Sequence, residues 1–128
     1  MRILLVDDHG LVREGVALLL RSLDPKIGVH QTADIHDAIA AMRTHGPFDI
    51  VLLDLEMPGM RELDTLHLFR GQFPEQAVVV LSANEDPNTV RRAIDDGAMG
   101  YVKKSLDPAT MMQALRVVLD DGIYVPPV

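Results

Sequence analysis

The chain has no cysteine and no tryptophan, and only two tyrosines and three phenylalanines among its 128 residues. Without cysteine there are no disulfides, thiolate zinc sites or cysteine nucleophiles, which agrees with a reducing compartment. Positive charge is also scarce: 12 Lys and Arg stand against 19 Asp and Glu, a formal net charge of −7. Such a chain lacks the basic face and the aromatic platforms that nucleic-acid binding requires, so any DNA contact is expected elsewhere. Long apolar runs are missing too. The longest, 16–20, 38–42 and 77–81, reach five residues, whereas a spanning helix needs about 20, and no membrane association is expected. Met1-Arg2 leads directly into Ile3-Leu4-Leu5-Val6-Asp7-Asp8, with no apolar leader or cleavage motif, so the cytoplasm is the expected location.

Hydrophobic residues make up 48% of the chain and charged residues 24%, enough for the core of one domain. Short apolar runs alternate with helical patterns. Ile3 to Val6 reads as a strand, and Val12, Val16, Leu19, Leu20 and Leu23 then recur at helical spacing. Gly28 to Thr32 is a weaker strand, followed by a helix that Asp34 can cap and that stops at His45-Gly46-Pro47. Phe48 to Leu53 is a nearly continuous apolar strand ending on Asp54; the loop Glu56-Met57-Pro58-Gly59 and a helix through Leu63, Leu66 and Phe69 come next. Ala77 to Leu81 and Met99 to Lys103 read as the last two strands. Asp86-Pro87 and Asp107-Pro108 each give a cap followed by a first-turn proline, opening helices that end at Asp96-Gly97 and Asp121-Gly122.

The sum is (βα)5. Apolar strands buried on both faces imply a doubly wound, five-stranded parallel sheet with helices on either side, an α/β flavodoxin-like fold. Ligands of such sheets bind beyond the carboxyl ends of the strands. There the sequence places Asp7-Asp8, Asp54, Ser82 and Lys104. Three converging carboxylates require raised pKa values or a hard divalent cation, and Mg²⁺ suits a site of few carboxylates. A hydroxyl, an ammonium and a metal around one carboxylate suit phosphoryl transfer to its oxygen, which makes Asp54 the candidate nucleophile. Each residue also has a plainer reading: Asp7-Asp8 as a helix cap, Asp54 as the start of a turn, Ser82 as a satisfied hydroxyl, Lys104 as a solvated lysine. Their joint occurrence at four strand ends favours a site. His9, His30, His36, His45 and His67 lack paired ligand spacing and read as surface or core residues, and Arg91-Arg92 with Asp95-Asp96 as a solvated or partner-facing helix surface.

Asp7-Asp8, Asp54 with Met57-Pro58-Gly59, Ser82-Ala83 and Gly97-Ala98-Met99-Gly100-Tyr101-Val102-Lys103-Lys104, in this order and spacing, resemble the receiver domain of two-component response regulators over essentially the whole chain. Asp7-Asp8-His9, Leu11-Val12-Arg13-Glu14-Gly15, Lys104-Ser105 and Gly122-Ile123-Tyr124-Val125-Pro126 resemble the NarL/FixJ subfamily, whose output is of LuxR type. The resemblance implies a phosphoryl group received on Asp54 from a sensor histidine kinase. It implies Mg²⁺ held by Asp8 directly, by Asp7 through water, by Asp54 and by the backbone carbonyl of Glu56. Phosphoryl oxygens would be bound by the backbone N–H groups of Leu55 and Ala83, by the Ser82 hydroxyl and by Lys104 rather than Lys103. Ser82 and Tyr101 would form the switch, with Tyr101 moving inward on phosphorylation. Residues 1–121 would be the receiver and 122–128 the start of a linker to a helix-turn-helix domain through which DNA is bound.

The chemistry implied is the chain's own Mg²⁺-dependent phosphotransfer and dephosphorylation, with no separate substrate. A phosphorylation-dependent homodimer is expected, through either the first and fifth helices or the fourth helix and fifth strand. Competing readings are a single-domain phosphorelay module, a phosphohydrolase of similar fold, a flavin carrier and a phosphorylation-independent interaction module. Asp54-Leu55-Glu56 is not the Asp-x-Asp of the phosphohydrolase, and Asp7-Asp8-His9-Gly10 would repel a flavin phosphate. The sequence departs from the receiver pattern at two places. Glu62 stands where glycine is common, which affects the start of the third helix, and Glu56 adds an acid near the metal or the attacking water.

Overall fold

In the computed structural model, which describes residues 1–126, five βα units follow one another. These are β1 (Arg2–Val6), α1 (Gly10–Leu23), β2 (Gly28–Thr32), α2 (Ile35–His45), β3 (Ile50–Asp54), α3 (Glu62–Gln72), β4 (Val78–Ser82), α4 (Pro87–Asp95), β5 (Tyr101–Lys103) and α5 (Pro108–Leu119). All neighbouring strands are parallel, in the order β2-β1-β3-β4-β5. The order reverses between β1 and β3, and that reversal opens the crevice in which sheets of this kind bind ligands.

Strand residues alternate strictly between two cores. Leu4, Val6, Val51, Leu53, Val78, Val80 and Tyr101 face α2, α3 and α4, where Met42, Leu66, Phe69 and Ala93 cover them. Ile3, Leu5, Ile50, Leu52, Val79, Leu81 and Val102 face α1 and α5, packing on Val16, Leu20, Met111 and Leu115. This two-sided burial is why β1, β3 and β4 carry no polar alternation, whereas the edge strand β2 does. The caps expected from sequence form: the side chains of Asp34, Asp86 and Asp107 accept from the backbone N–H groups of Asp37, Asn88 and Thr110 at 2.8, 3.0 and 2.8 Å. The Thr110 N–H holds the Asp107 carboxyl below the ordinary carboxylate range.

The boundaries differ where local chemistry intervenes. β3 begins at Ile50 rather than Phe48, because the Gln76 side chain takes both backbone groups of Phe48, at 3.0 and 2.8 Å. β5 spans Tyr101–Lys103, although pairing with β4 starts earlier, as expected: the Met99 N–H donates to the Val78 carbonyl at 2.8 Å and the Gly100 carbonyl accepts from the Val80 N–H at 3.0 Å, just after the turn at Gly97, φ +102°. Within the segment expected to begin the linker, Tyr124 pairs with the sheet: it lies parallel to Gly100, and the Tyr101 N–H donates to the Tyr124 carbonyl at 2.8 Å. Pro127 and Val128 of the expected linker lie outside the described residues. No described helix is long and apolar enough to cross a membrane.

Phe69 on α3 is wholly buried among the α2–α4 core residues. Truncating it leaves a cavity under the sheet, and Phe69→Ala should cost about 3–5 kcal/mol in a urea unfolding experiment. A loss below about 1 kcal/mol would contradict this packing.

Candidate functional site

The strands position the site by where they stop. β1 is followed by Asp7 and Asp8, β3 ends on Asp54, β4 ends on Ser82, and Lys104 follows β5. The β1–β3 and β3–β4 registers, Val6 opposite Leu53 and Asp54 opposite Leu81, bring these ends level. Asp7, Asp54 and Ser82 are fully buried, and Asp8 is partly so. The Lys104 side chain is only 9% exposed; its Nζ stands 3.0 Å from Asp54 Oδ2 and 3.1 Å from Asp7 Oδ2. Lys103 enters no ion pair among the described residues, so the structure brings Lys104, and not its neighbour, to the acids. The α1 N-cap is His9, without a side-chain capping bond, so neither Asp7 nor Asp8 serves as the helix cap.

Carboxylate oxygens of Asp7, Asp8 and Asp54 and a ring nitrogen of His9 all lie within 4.8 Å of one another. Asp7 Oδ2, Asp8 Oδ1 and Asp54 Oδ2 are buried without a hydrogen bond. Lys104 approaches two of these atoms as a charge and donates its hydrogen bond to Asp7 Oδ1, at 3.3 Å. Buried carboxylate oxygens gathered in this way without a hydrogen-bond partner are the set a hard divalent cation requires. His9 has no place in the sequence expectation, which found no paired histidine spacing. It joins the cluster because α1 starts directly after Asp8, with Nδ1 at 3.4 Å from Asp8 Oδ1 and 3.5 Å from Asp7 Oδ1.

The electrostatics follow from this crowding. Burial is the main cause that pushes the Asp54 carboxyl up to about 8, helped by the neighbouring Glu56 side chain and the charge of Asp7. Burial opposes the charge of Lys104, yet contact with Asp54 and the charges of Asp54 and Asp7 outweigh it and hold the ammonium above its ordinary value. Burial likewise opposes ionisation of Glu56, but its contacts with Asp54, Ser82 and the Ala83 N–H bring its carboxyl below the usual range. Of the two neighbouring acids, Asp54 is thus the weaker and Glu56 the stronger.

Glu56 and Glu62, the two departures from the receiver pattern, both turn to the loop after β4. Glu56 Oε1 accepts from Ser82 Oγ at 2.7 Å, from the Ala83 N–H at 2.8 Å and from the Asn84 N–H at 3.1 Å. Glu62 begins α3 as a normal first-turn acid, and its Oε2 accepts from Asn84 Nδ2 at 2.7 Å. Tyr101 is fully buried, its Oη donating to the Asn84 carbonyl at 2.7 Å, and burial raises its hydroxyl pKa. Asn84 thus joins both glutamates to Tyr101. Sequence reasoning missed it, since an asparagine two places after a strand end signals only a turn. The helix surface at Arg91-Arg92 and Asp95-Asp96 is exposed, as expected, except that Asp96 Oδ2 meets His67 Nε2 of α3 at 2.6 Å.

The family model of the response regulator receiver domain matches residues 3–116. A glycerol metabolism activator of Pseudomonas putida is 37% identical over 126 residues, covering 98% of this chain and 57% of that protein. The nitrate/nitrite response regulator protein NarP of Escherichia coli strain K12 is 37% identical over 117 residues, covering 90% and 53%. The chain thus spans about half the length of these relatives. Among solved structures, a LuxR-family two-component response regulator from Aurantimonas sp. SI85-9A1 superposes with a TM-score of 0.84 at 33% identity, over 98% of this chain and 89% of that one. The signal receiver domain of the putative response regulator NarL from Mycobacterium tuberculosis gives 0.75 at 33% identity, over 94% of both chains. Sheet order, acidic crevice and these likenesses agree: the chain belongs to the response regulator receiver domain family, with relatives among LuxR-type regulators.

Proposed function

We propose that this receiver takes a phosphoryl group on Asp54 from a phosphohistidine of a sensor kinase and passes the change to an output segment. The observation that carries the reading is the placing of Lys104 Nζ 3.0 Å from the buried Asp54 Oδ2, beside the Asp7 and Asp8 carboxylates. In the transfer, an Asp54 oxygen forms the new bond to phosphorus while the P–N bond of the donor breaks and its electron pair leaves with the imidazole. With acetyl phosphate as donor, the P–O bond breaks and acetate leaves. Asp7, Asp8 and Asp54, with the backbone carbonyl of Glu56, would hold Mg²⁺, whose chemistry is to neutralise the crowded acids and the negative charge of the incoming group. Lys104, the Ser82 hydroxyl and the N–H groups of Leu55 and Ala83 would bind the phosphoryl oxygens. Ser82 and Tyr101 would carry the switch.

The acceptor is part of the protein, so the chemistry is a single modification and its reversal, with no separate substrate to turn over. Residues 1–121 would form the receiver, and residues 122–128 would lead to a DNA-binding domain acting in the cytoplasm. A phosphorylation-dependent homodimer would form through the α1–α5 or the α4–β5 face, consistent with the exposed Leu11 and Leu18 on α1.

Incubation with acetyl phosphate and Mg²⁺ should add one phosphoryl mass to the intact chain, and none to Asp54→Asn. Asp8→Ala should abolish the gain, because a direct carboxylate ligand is lost from a site that has few. A phosphoryl mass on Asp54→Asn would overturn the assignment.

Protonation of Asp54 gives a second outcome. Its folded-state pKa near 8 exceeds the ordinary 3.8, so between these values the native state holds a proton that the unfolded chain has released. The contribution of this group to stability is greatest at low pH and falls as pH rises through that window. Asparagine cannot ionise. In EDTA, Asp54→Asn should therefore gain on the wild type between pH 5.5 and 8.5, by roughly 3 kcal/mol in urea unfolding. A difference that stays constant with pH would contradict the raised value.

A further inference from the structure

We propose that the Glu56 carboxylate is an internal anion that occupies the phosphoryl-binding donors of the unphosphorylated receiver and, with Glu62, holds the switch loop and Tyr101 in place until a phosphoryl group displaces it. The inference rests on the reading of Asp54 as the phosphoryl acceptor. Three donors converge on Glu56 Oε1: the Ser82 hydroxyl and the consecutive N–H groups of Ala83 and Asn84, at 2.7, 2.8 and 3.1 Å. Successive backbone N–H groups directed at one oxygen form a nest for an anion. Ser82 and Ala83 are also the groups proposed to take phosphoryl oxygens, and a donor hydrogen committed to Glu56 is not free for phosphate.

The contacts continue past the nest. Asn84 donates through Nδ2 to Glu62 Oε2 at 2.7 Å, its Oδ1 accepts from the Asp86 N–H at 2.8 Å, and its carbonyl accepts the Tyr101 hydroxyl at 2.7 Å. Two carboxylates, one from the β3–α3 loop and one from the first turn of α3, thus clamp the loop that leads to α4. Tyr101 lies fully buried beneath that loop, the inward position expected only after phosphorylation. In this chain phosphorylation would exchange one anion for another at the same donors. Glu56 would set both the ease of phosphorylation and the resting state of the switch.

The test uses the 128-residue chain, its Glu56→Ala variant and the near-isosteric Glu56→Gln variant, all with saturating Mg²⁺ so that any change in metal affinity does not enter. In the unphosphorylated protein, Glu56→Ala should move the Ala83 and Asn84 amide resonances more than any others outside residues 55–57 and should broaden those of Tyr101. Titration with beryllium fluoride, a phosphoryl mimic, should half-saturate Glu56→Ala at a concentration about tenfold lower than the wild type, the scale of hydrogen bonds to a charged group, with Glu56→Gln between the two. Unmoved Ala83 and Asn84 amides, or an unchanged or raised half-saturating concentration in Glu56→Ala, would overturn the proposal. If the wild type gains no phosphoryl mass from acetyl phosphate, the Asp54 reading falls and the competition with it. If it gains that mass but all three chains bind beryllium fluoride equally, the role of Glu56 alone is refuted.

Discussion

The site is organised by mutual repulsion of carboxylates that the sheet forces together. β1 and β3 are neighbours because the strand order reverses between them, and both stop at aspartates on the same edge. Asp7 and Asp54 have no exposure to water, and the one nearby ammonium, Lys104, is shared between them at 3.1 and 3.0 Å. A single cation cannot neutralise three acids in a poorly solvated crevice. The remaining repulsion is relieved by a proton on Asp54 and would be relieved further by a divalent ion. Lys104 stays charged despite its burial for the same reason.

The rest of the structure keeps this crowding in place. The alternating strand residues lock each strand between two cores, and a slip of one residue would exchange every side chain between α1–α5 and α2–α4. Asp54 is therefore held to the crevice by the burial of Val51, Leu52 and Leu53 before it, and Ser82 by Val78 to Leu81. The stability of two hydrophobic cores offsets the cost of a strained acidic edge. Glu56 is placed two residues beyond Asp54, where it carries charge away from the crowded acids to the donors after β4. Through Asn84 the same contact reaches Tyr101, whose backbone N–H binds the returning Tyr124 segment. Acid cluster, switch loop and tail are joined by hydrogen bonds in sequence.

Most of the sheet was legible because buried parallel strands read as short runs of Val, Ile and Leu, and α2, α4 and α5 because Asp34, Asp86 and Asp107 announce their starts. The positions of Asp7, Asp8, Asp54, Ser82 and Lys104 were legible because each lies where such a run stops. The directions of the glutamate side chains were not. Glu56 reads as an additional acid near a metal, yet its carboxylate turns to Ser82, Ala83 and Asn84, since backbone N–H donors after β4 offer it more than a crowded acidic site does. Glu62 reads as a disturbance to α3, but in the first helical turn an acid is favourable, and Asn84 takes its other end. The return of Tyr124 to β5 was hidden for a different reason: strand pairing across a whole helix depends on where α5 lies, and 123–125 carries no turn signal of its own.

If a shared proton occupies the place of a metal charge, binding the metal must expel it. The most direct measurement is isothermal titration of Mg²⁺ into the chain at pH 7 in several buffers that differ in ionisation enthalpy, which counts the protons released per ion bound. With Asp54 near 8 in the metal-free protein, about one proton should be released per ion, and none in Asp54→Asn. Mg²⁺ binding with no proton release would contradict a protonated Asp54, because it would show the acids already ionised and their repulsion relieved by other means.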